Sequence, residues 1–173
     1  MIRMMLIAIM LCAGVARAQG PELLDLSKLE PQQQFDFLLG NWSYKFEQGH
    51  GETSCRKTAD GAIEESLEPA FYAGRPFSAT AYYLYSAKNK YWKQHWVDTL
   101  GNVIQLTITL QPYAESKLPA LVGVFEQGAT HFKHLWYNIS AASFDTDLFV
   151  SSDGVDYQLV RRMPYLRKQA APN

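Results

Sequence analysis

Ten short segments with the alternating hydrophobic pattern of β-strands follow one another along the chain, and turn residues separate them. Consecutive strands that are joined by tight turns form an antiparallel meander. Because the sequence offers no second helix to cover a face of such a sheet, we expect an all-β fold that closes into a barrel. The clearest turn signals are Gly49-His50-Gly51, Ala59-Asp60-Gly61, Lys88-Asn89-Lys90, Gly101-Asn102, Gln127-Gly128 and Ser152-Asp153-Gly154.

The pattern divides the chain into a lead-in (19–30), one barrel domain (31–163) and a flexible polar tail (164–173). Within the domain, residues 31–39 predict one short helix, since proline suits the first turn and the glycine that follows suits the end. The predicted strands span residues 42–48, 53–58, 62–68, 77–86, 91–98, 103–111, 120–127, 131–139, 146–151 and 155–163.

The first 18 residues have the features of a cleaved signal peptide. Arg3 supplies the positive start, an apolar run follows, and Ala16-Arg17-Ala18 fits the small-x-small cleavage pattern. Cleavage between Ala18 and Gln19 is expected to leave a periplasmic or secreted protein. The apolar run is shorter than the roughly 20 residues that span a bilayer, so we expect no integral membrane span after processing.

The amino-acid composition indicates a folded domain and argues against some classes of binding partner. Hydrophobic residues make up 47% of the chain and charged residues only 19%, which is typical of a folded domain. Without the leader, 14 basic side chains face 17 acidic ones, so neither nucleic acid nor an anionic membrane surface is an expected partner. Cys55 is then the single cysteine, which excludes an internal disulfide and leaves its role open. The sequence does not determine the oligomeric state.

Familiar catalytic and cofactor motifs are missing from the sequence, including the glycine-rich nucleotide loops, the serine elbow and the HExxH helix. His131 and His134 are three residues apart on a predicted strand, so their imidazoles point to opposite faces and cannot share a metal ion. No metal site is predicted.

Aromatic side chains alternate with polar ones on three strands and mark a candidate ligand-binding surface. In the stretch 91–98, two tryptophans and a glutamine share one face. Two interpretations stay open: these side chains line a ligand cavity, or they fill the barrel core. The candidate ligand-binding residues are Trp92, Gln94, Trp96, His134, Trp136, Tyr83 and Tyr85.

Glu65 lies between two apolar residues of its own face, Ile63 and Leu67. If it points inward, it is a buried carboxylate that needs a partner, for which Arg161 is a candidate. If the strand register differs, Glu65 faces solvent or the barrel rim. Glu65 and His134 are also the candidates for a catalytic acid and base, although no motif supports the pair.

The sequence Gly40-Asn41-Trp42 after a short helix resembles the calycin group, which includes lipocalins and fatty-acid-binding proteins. The resemblance implies that Gly40 and Trp42 close the barrel floor, with Arg161 or Arg162 stacked over the indole. Four blocks resemble those of an uncharacterised family of secreted bacterial calycin-like barrels, over nearly the whole mature chain. This implies the fold and no particular activity. The blocks are FDFLLGNW (35–42), ESLE (65–68), YWKQHWVDTLGN (91–102) and KHLWY (133–137).

The leading hypothesis is an exported binding protein for a small, mostly apolar molecule held in the barrel. The first alternative is an enzyme that uses Glu65 and His134 on the same scaffold. No cofactor is predicted, and haem held by His134 or Met163 is a lesser alternative. A protein–protein module of the cell envelope, with outer aromatics such as Tyr82 or Tyr91 as anchors, is the last.

Overall fold

The structure is a computed structural model that describes residues 21–169; the predicted signal peptide lies outside this range. Ten antiparallel strands form a closed barrel, in which each strand pairs with its neighbours in the chain and β1 pairs with β10. The predicted all-β barrel is therefore confirmed. The strands are β1 Gly40–Phe46, β2 Gly49–Lys57, β3 Ile63–Tyr72, β4 Arg75–Ser86, β5 Tyr91–Asp98, β6 Val103–Gln111, β7 Ala120–Gln127, β8 Thr130–Tyr137, β9 Ser143–Ser151 and β10 Gln158–Arg167.

Strand alternation separates the interior of the barrel from its outer surface. On β5, Trp92 and Gln94 are buried, whereas His95 and Val97, which follow on the other face of the strand, are exposed. This is the division that the two-residue period predicts. Because every strand has two neighbours, the backbone groups of the sheet leave no long free edge.

The segment before β1 forms three short 3-10 helices, Leu26–Lys28, Pro31–Gln33 and Asp36–Leu38, in place of the single helix expected over 31–39. Both Phe35 and Phe37 are buried. Residues two apart point to nearly opposite sides of a continuous α-helix, so the interrupted turns allow both rings to face the barrel. Among residues 21–169, no helix is long and apolar enough to cross a membrane.

One end of the barrel, here called the floor, is closed around Trp42. The Trp42 indole is fully buried and donates a 2.6 Å hydrogen bond from Nε1 to the Leu38 carbonyl. The guanidinium carbon of Arg167 lies 4.0 Å from the centre of the indole ring. The expectation that Arg161 or Arg162 occupies this position is wrong, because β1 and β10 pair with Trp42 opposite Arg167.

The last strand continues beyond its predicted end at Met163. It runs to Arg167, so 164–167 belong to the barrel and not to a flexible tail. The guanidinium of Arg167 donates to the carbonyls of Leu39 at 2.7 Å and Phe37 at 3.1 Å. These bonds fasten the segment before β1 to the end of the chain's last strand.

A second, smaller hydrophobic cluster lies on the outer surface, where the β6–β7 connection covers β8 and β9. Tyr113 of this connection packs edge-on against Tyr137. Beneath the connection, Asp147 is fully buried and receives two hydrogen bonds from Arg162, of 2.9 and 2.7 Å. The ion pair therefore holds β9 and β10 together on the outside of the barrel.

Candidate functional site

A cavity of about 270 Å³ lies inside the barrel between the floor and the opposite end, which carries the β5–β6 turn. Leu100 of that turn belongs to the wall and is 50% exposed, so the cavity approaches solvent there. Most of the wall is aromatic or aliphatic. Its members include Leu38, Tyr44, Phe46, Leu67, Phe77, Trp96, Ile104, Leu106, Phe125, Phe132, Trp136, Phe144, Leu148, Met163 and Tyr165.

Five of the seven predicted ligand-binding residues belong to this wall: Tyr83, Gln94, Trp96, His134 and Trp136. The other two, Trp92 and Tyr85, do not. Trp92 is buried below the cavity, where its Nε1 donates to the Pro31 carbonyl at 2.9 Å and its ring meets Phe35 edge-on. Tyr85 packs on Trp92. Trp92 and Tyr85 therefore lie at the floor of the barrel and not in the wall of the cavity.

Glu65 faces inward and is 5% exposed. One carboxylate oxygen accepts a 2.9 Å hydrogen bond from the Thr53 hydroxyl, and the other accepts one of 2.6 Å from Tyr83. Gln94 in turn donates to the Tyr83 hydroxyl at 2.8 Å. The predicted partner Arg161 is not involved, since Thr53 and Tyr83 lie on the strands beside Glu65 and satisfy both its oxygens.

Burial shifts the pKa of both candidate acid–base residues toward their neutral forms. The loss of water raises the pKa of Glu65, although the hydrogen bonds from Tyr83 and Thr53 oppose this shift. Burial, and then the charge of Arg161, lowers the pKa of His134 to about 3. At neutral pH His134 is therefore an uncharged imidazole, and a weak proton acceptor.

Two buried nitrogen atoms of the wall have no hydrogen-bond partner within the described part of the chain: Nε2 of His134 and Nε of Arg161. Both residues are opposite Leu148 in the strand register, His134 on β8 and Arg161 on β10. They therefore flank one residue on the same side of the barrel. Glu65 lies across the barrel from His134, because β3 and β8 are five strands apart in either direction around the ring of ten. Arg161 lies between them, since β10 is three strands from β3 and two from β8.

Several wall residues were missed at the level of sequence. Tyr165 was assigned to the tail because Pro164 was interpreted as the end of a strand. Continuing the two-residue alternation from Arg161 through Met163 would have identified both Tyr165 and Arg167. Thr53 carried no signal, since a single threonine on a polar strand does not indicate which carboxylate it will reach.

Replacing His134 by glutamine is expected to flatten the fall in stability on acidification. The folded pKa of His134 lies near 3 and the unfolded one near 6.5, so stability present above pH 6.5 is lost as pH falls toward 3. Between pH 7 and pH 5 the His134→Gln variant should gain up to about 2 kcal/mol relative to the wild type. Urea unfolding at the two pH values measures this difference.

Glu65→Gln provides the comparison of opposite sign. Because the folded pKa of Glu65 is raised, its contribution is fully present below the unfolded pKa and is lost as pH rises through the folded value. This variant should therefore lose stability relative to the wild type over the same acidification. Wild-type pH dependence in both variants would contradict the placement of the two residues in the interior.

No model of a known protein family matches the chain, and no curated protein is significantly similar to it in sequence. The geometry of the cavity is therefore the basis on which a function is proposed.

Proposed function

We propose that the chain is an exported, calycin-like binding protein that holds one small, mostly apolar molecule inside the barrel. The observation that carries this proposal is the cavity, whose wall is mostly apolar and also carries polar side chains. The polar members are Glu65, Gln94, Asp98, Asn102, Gln127, His134, Thr146 and Arg161. Walls of this composition are typical of small-molecule sites, in which polar groups set the orientation of the ligand. Export is inferred from the leader alone.

The volume of the cavity limits the ligand. A cavity of roughly 150 Å³ holds a benzene molecule, and sites for drug-sized ligands begin near 300 Å³. At about 270 Å³, the interior suits a single ring system or a medium-length alkyl chain.

Filling the cavity should abolish binding without unfolding the protein. Ile104 and Leu148 are partly buried wall residues, and tryptophan at both positions adds bulk that occupies the space of the ligand. We expect the Ile104→Trp/Leu148→Trp variant to carry at least about tenfold less bound molecule. The measurement is native mass spectrometry of the full chain, expressed in a bacterium and purified without denaturant, with urea unfolding as the test of folding.

The matched control places the same two tryptophans on the outer surface, as Val103→Trp/Val124→Trp. These valines are 79% and 46% exposed and face away from the cavity. The control should keep the bound molecule of the wild type. A wild-type protein that carries no molecule, and takes up none from a lipid and metabolite extract of its host, would contradict the proposal.

A second candidate function, an enzyme, is favoured by one observation: Glu65 and His134 both belong to the wall of the same cavity. A substrate held there would contact both groups. Incubating the extract with the wild type and with Glu65→Gln, and comparing the molecules by mass, separates the two functions. Conversion by the wild type alone would support catalysis, and unchanged molecules would support binding.

The haem alternative also has both of its residues, His134 and Met163, in the wall. Incubating the purified protein with haem and recording the absorbance spectrum tests it directly. A Soret band that is lost in His134→Gln would support this alternative.

A further inference from the structure

Three arginines on β10 differ in how their guanidinium groups are satisfied. Arg162 bonds to Asp147 and Glu115, and Arg167 bonds to the backbone carbonyls of the floor. Arg161 takes part in no salt bridge among residues 21–169, and its buried Nε has no partner there. A guanidinium stays charged under all ordinary conditions, so Arg161 brings an unneutralised positive charge to the cavity wall.

The surroundings of Arg161 offer stacking but no counter-charge. Its guanidinium carbon lies 5.7 Å from the centre of the Phe46 ring, and both residues line the cavity. Two acidic side chains line the cavity, and both are bonded elsewhere: Glu65 to Thr53 and Tyr83, and Asp98 to Trp96 and Asn102. Neither forms a salt bridge with Arg161. Arg161 is partly buried, and its buried Nε lacks an acceptor that an anion entering the cavity would supply.

His134 stands on the same side of the cavity, one strand beyond Leu148. Its Nε2 is the second unpartnered buried nitrogen of the wall. A neutral imidazole donates from one nitrogen, and a ligand acceptor selects the tautomer that places the proton there. Arg161 and His134 thus present a charged donor and a neutral donor on either side of an aliphatic residue.

We propose that the ligand of the cavity is an amphipathic monoanion, an apolar body with one carboxylate group, and that Arg161 and His134 bind the carboxylate. The inference rests on the proposed binding function and specifies its ligand class. Arginine suits this role because its planar fork matches the two oxygens of a carboxylate. The apolar body then lies along the aromatic wall formed by Trp96, Phe125 and Phe132.

Three probes with one alkyl chain and different head groups test this assignment: octanoate, 1-octanol and octylamine. Binding is measured by calorimetric titration of the full chain at mildly alkaline pH. At this pH octanoate is anionic and octylamine is cationic. We expect octanoate to bind about 10- to 100-fold more tightly than octanol, and octylamine more weakly than octanol. In Arg161→Met, octanoate should fall to the affinity of octanol while octanol changes by less than about threefold. The alkyl chain is varied from hexyl to dodecyl so that its length does not decide the result.

Arg75→Met is the matched control, since Arg75 is an exposed arginine at the start of β4 and lies outside the cavity wall. It should leave the affinities of all three probes unchanged. Equal binding of the three head groups to the wild type, with no effect of Arg161→Met, would overturn the carboxylate assignment and leave the binding function intact. Failure of every probe at every chain length would contradict the binding function itself.

Discussion

Replacing Trp42 by alanine should lower the free energy of unfolding by about 3–5 kcal/mol, which is the range for removing a fully buried large aromatic residue. Three interactions are lost together at this position. The indole fills the floor, donates to the Leu38 carbonyl at 2.6 Å, and lies 4.0 Å from the guanidinium carbon of Arg167. Phe144, whose ring meets the indole edge-on at 4.8 Å between centres, would be left beside a void.

The matched variants separate the ring from its polar contacts. Trp42→Phe keeps most of the volume and loses the hydrogen bond, so its loss should be about 1–2 kcal/mol. Arg167→Met should also cost about 1–2 kcal/mol, through the lost cation–π contact and the lost bonds to the Leu39 and Phe37 carbonyls. Urea unfolding followed by circular dichroism measures all three. A Trp42→Ala variant within 1 kcal/mol of the wild type would contradict the assignment of the floor.

The second large effect is expected outside the cavity, at the ion pair between Arg162 and Asp147. Replacing Arg162 by methionine should lower the free energy of unfolding by about 2–3 kcal/mol, because Asp147 is then a fully buried carboxylate without its cation. The figure is below the usual range for buried pairs since the Arg162 side chain is 49% exposed. Arg162→Met should therefore unfold at distinctly lower urea concentration than the wild type.

A double-mutant cycle tests the direction of this asymmetry. Asp147→Asn removes the buried charge and leaves Arg162 with its second partner Glu115, so its cost should be smaller, about 1 kcal/mol. Adding Asp147→Asn to Arg162→Met should recover about 1 kcal/mol of stability, because the orphaned charge disappears. If the two losses simply added, Arg162 and Asp147 would not be energetically coupled, and the ion pair would not contribute to stability.

Much of the fold could be predicted because it depends on patterns that a single chain displays. The alternation of side chains along β5 predicts that Gln94 and Trp96 point into the barrel, without knowledge of the strands beside it. The turn residues between the hydrophobic segments predict ten strands. For Glu65 and His134, the alternation predicts an inward side chain only if the pairing of their strands with the neighbouring strands is also known. Register is set by pairing between strands, which one strand does not reveal.

The details of the site depended on that pairing. The resemblance to calycins implies Arg161 or Arg162 over the Trp42 indole, whereas the alignment of β10 on β1 gives this position to Arg167. Glu65 was given the wrong partner for the same reason, since Thr53 and Tyr83 become its neighbours only through the pairing of β2, β3 and β4. Since Arg167 lies at the floor and Thr53 and Tyr83 bond to Glu65, Arg161 fills neither of its expected roles and lines the cavity instead.

One structure determination would show whether the interior of the barrel is a ligand site. The test is a high-resolution crystal structure of the chain, expressed in a bacterium and purified without denaturant. We expect continuous electron density for a bound molecule along the aromatic wall, ending within hydrogen-bond distance of Arg161 and His134. An interior filled by rearranged wall side chains, with no space for a molecule and both nitrogens bonded to the protein, would contradict it.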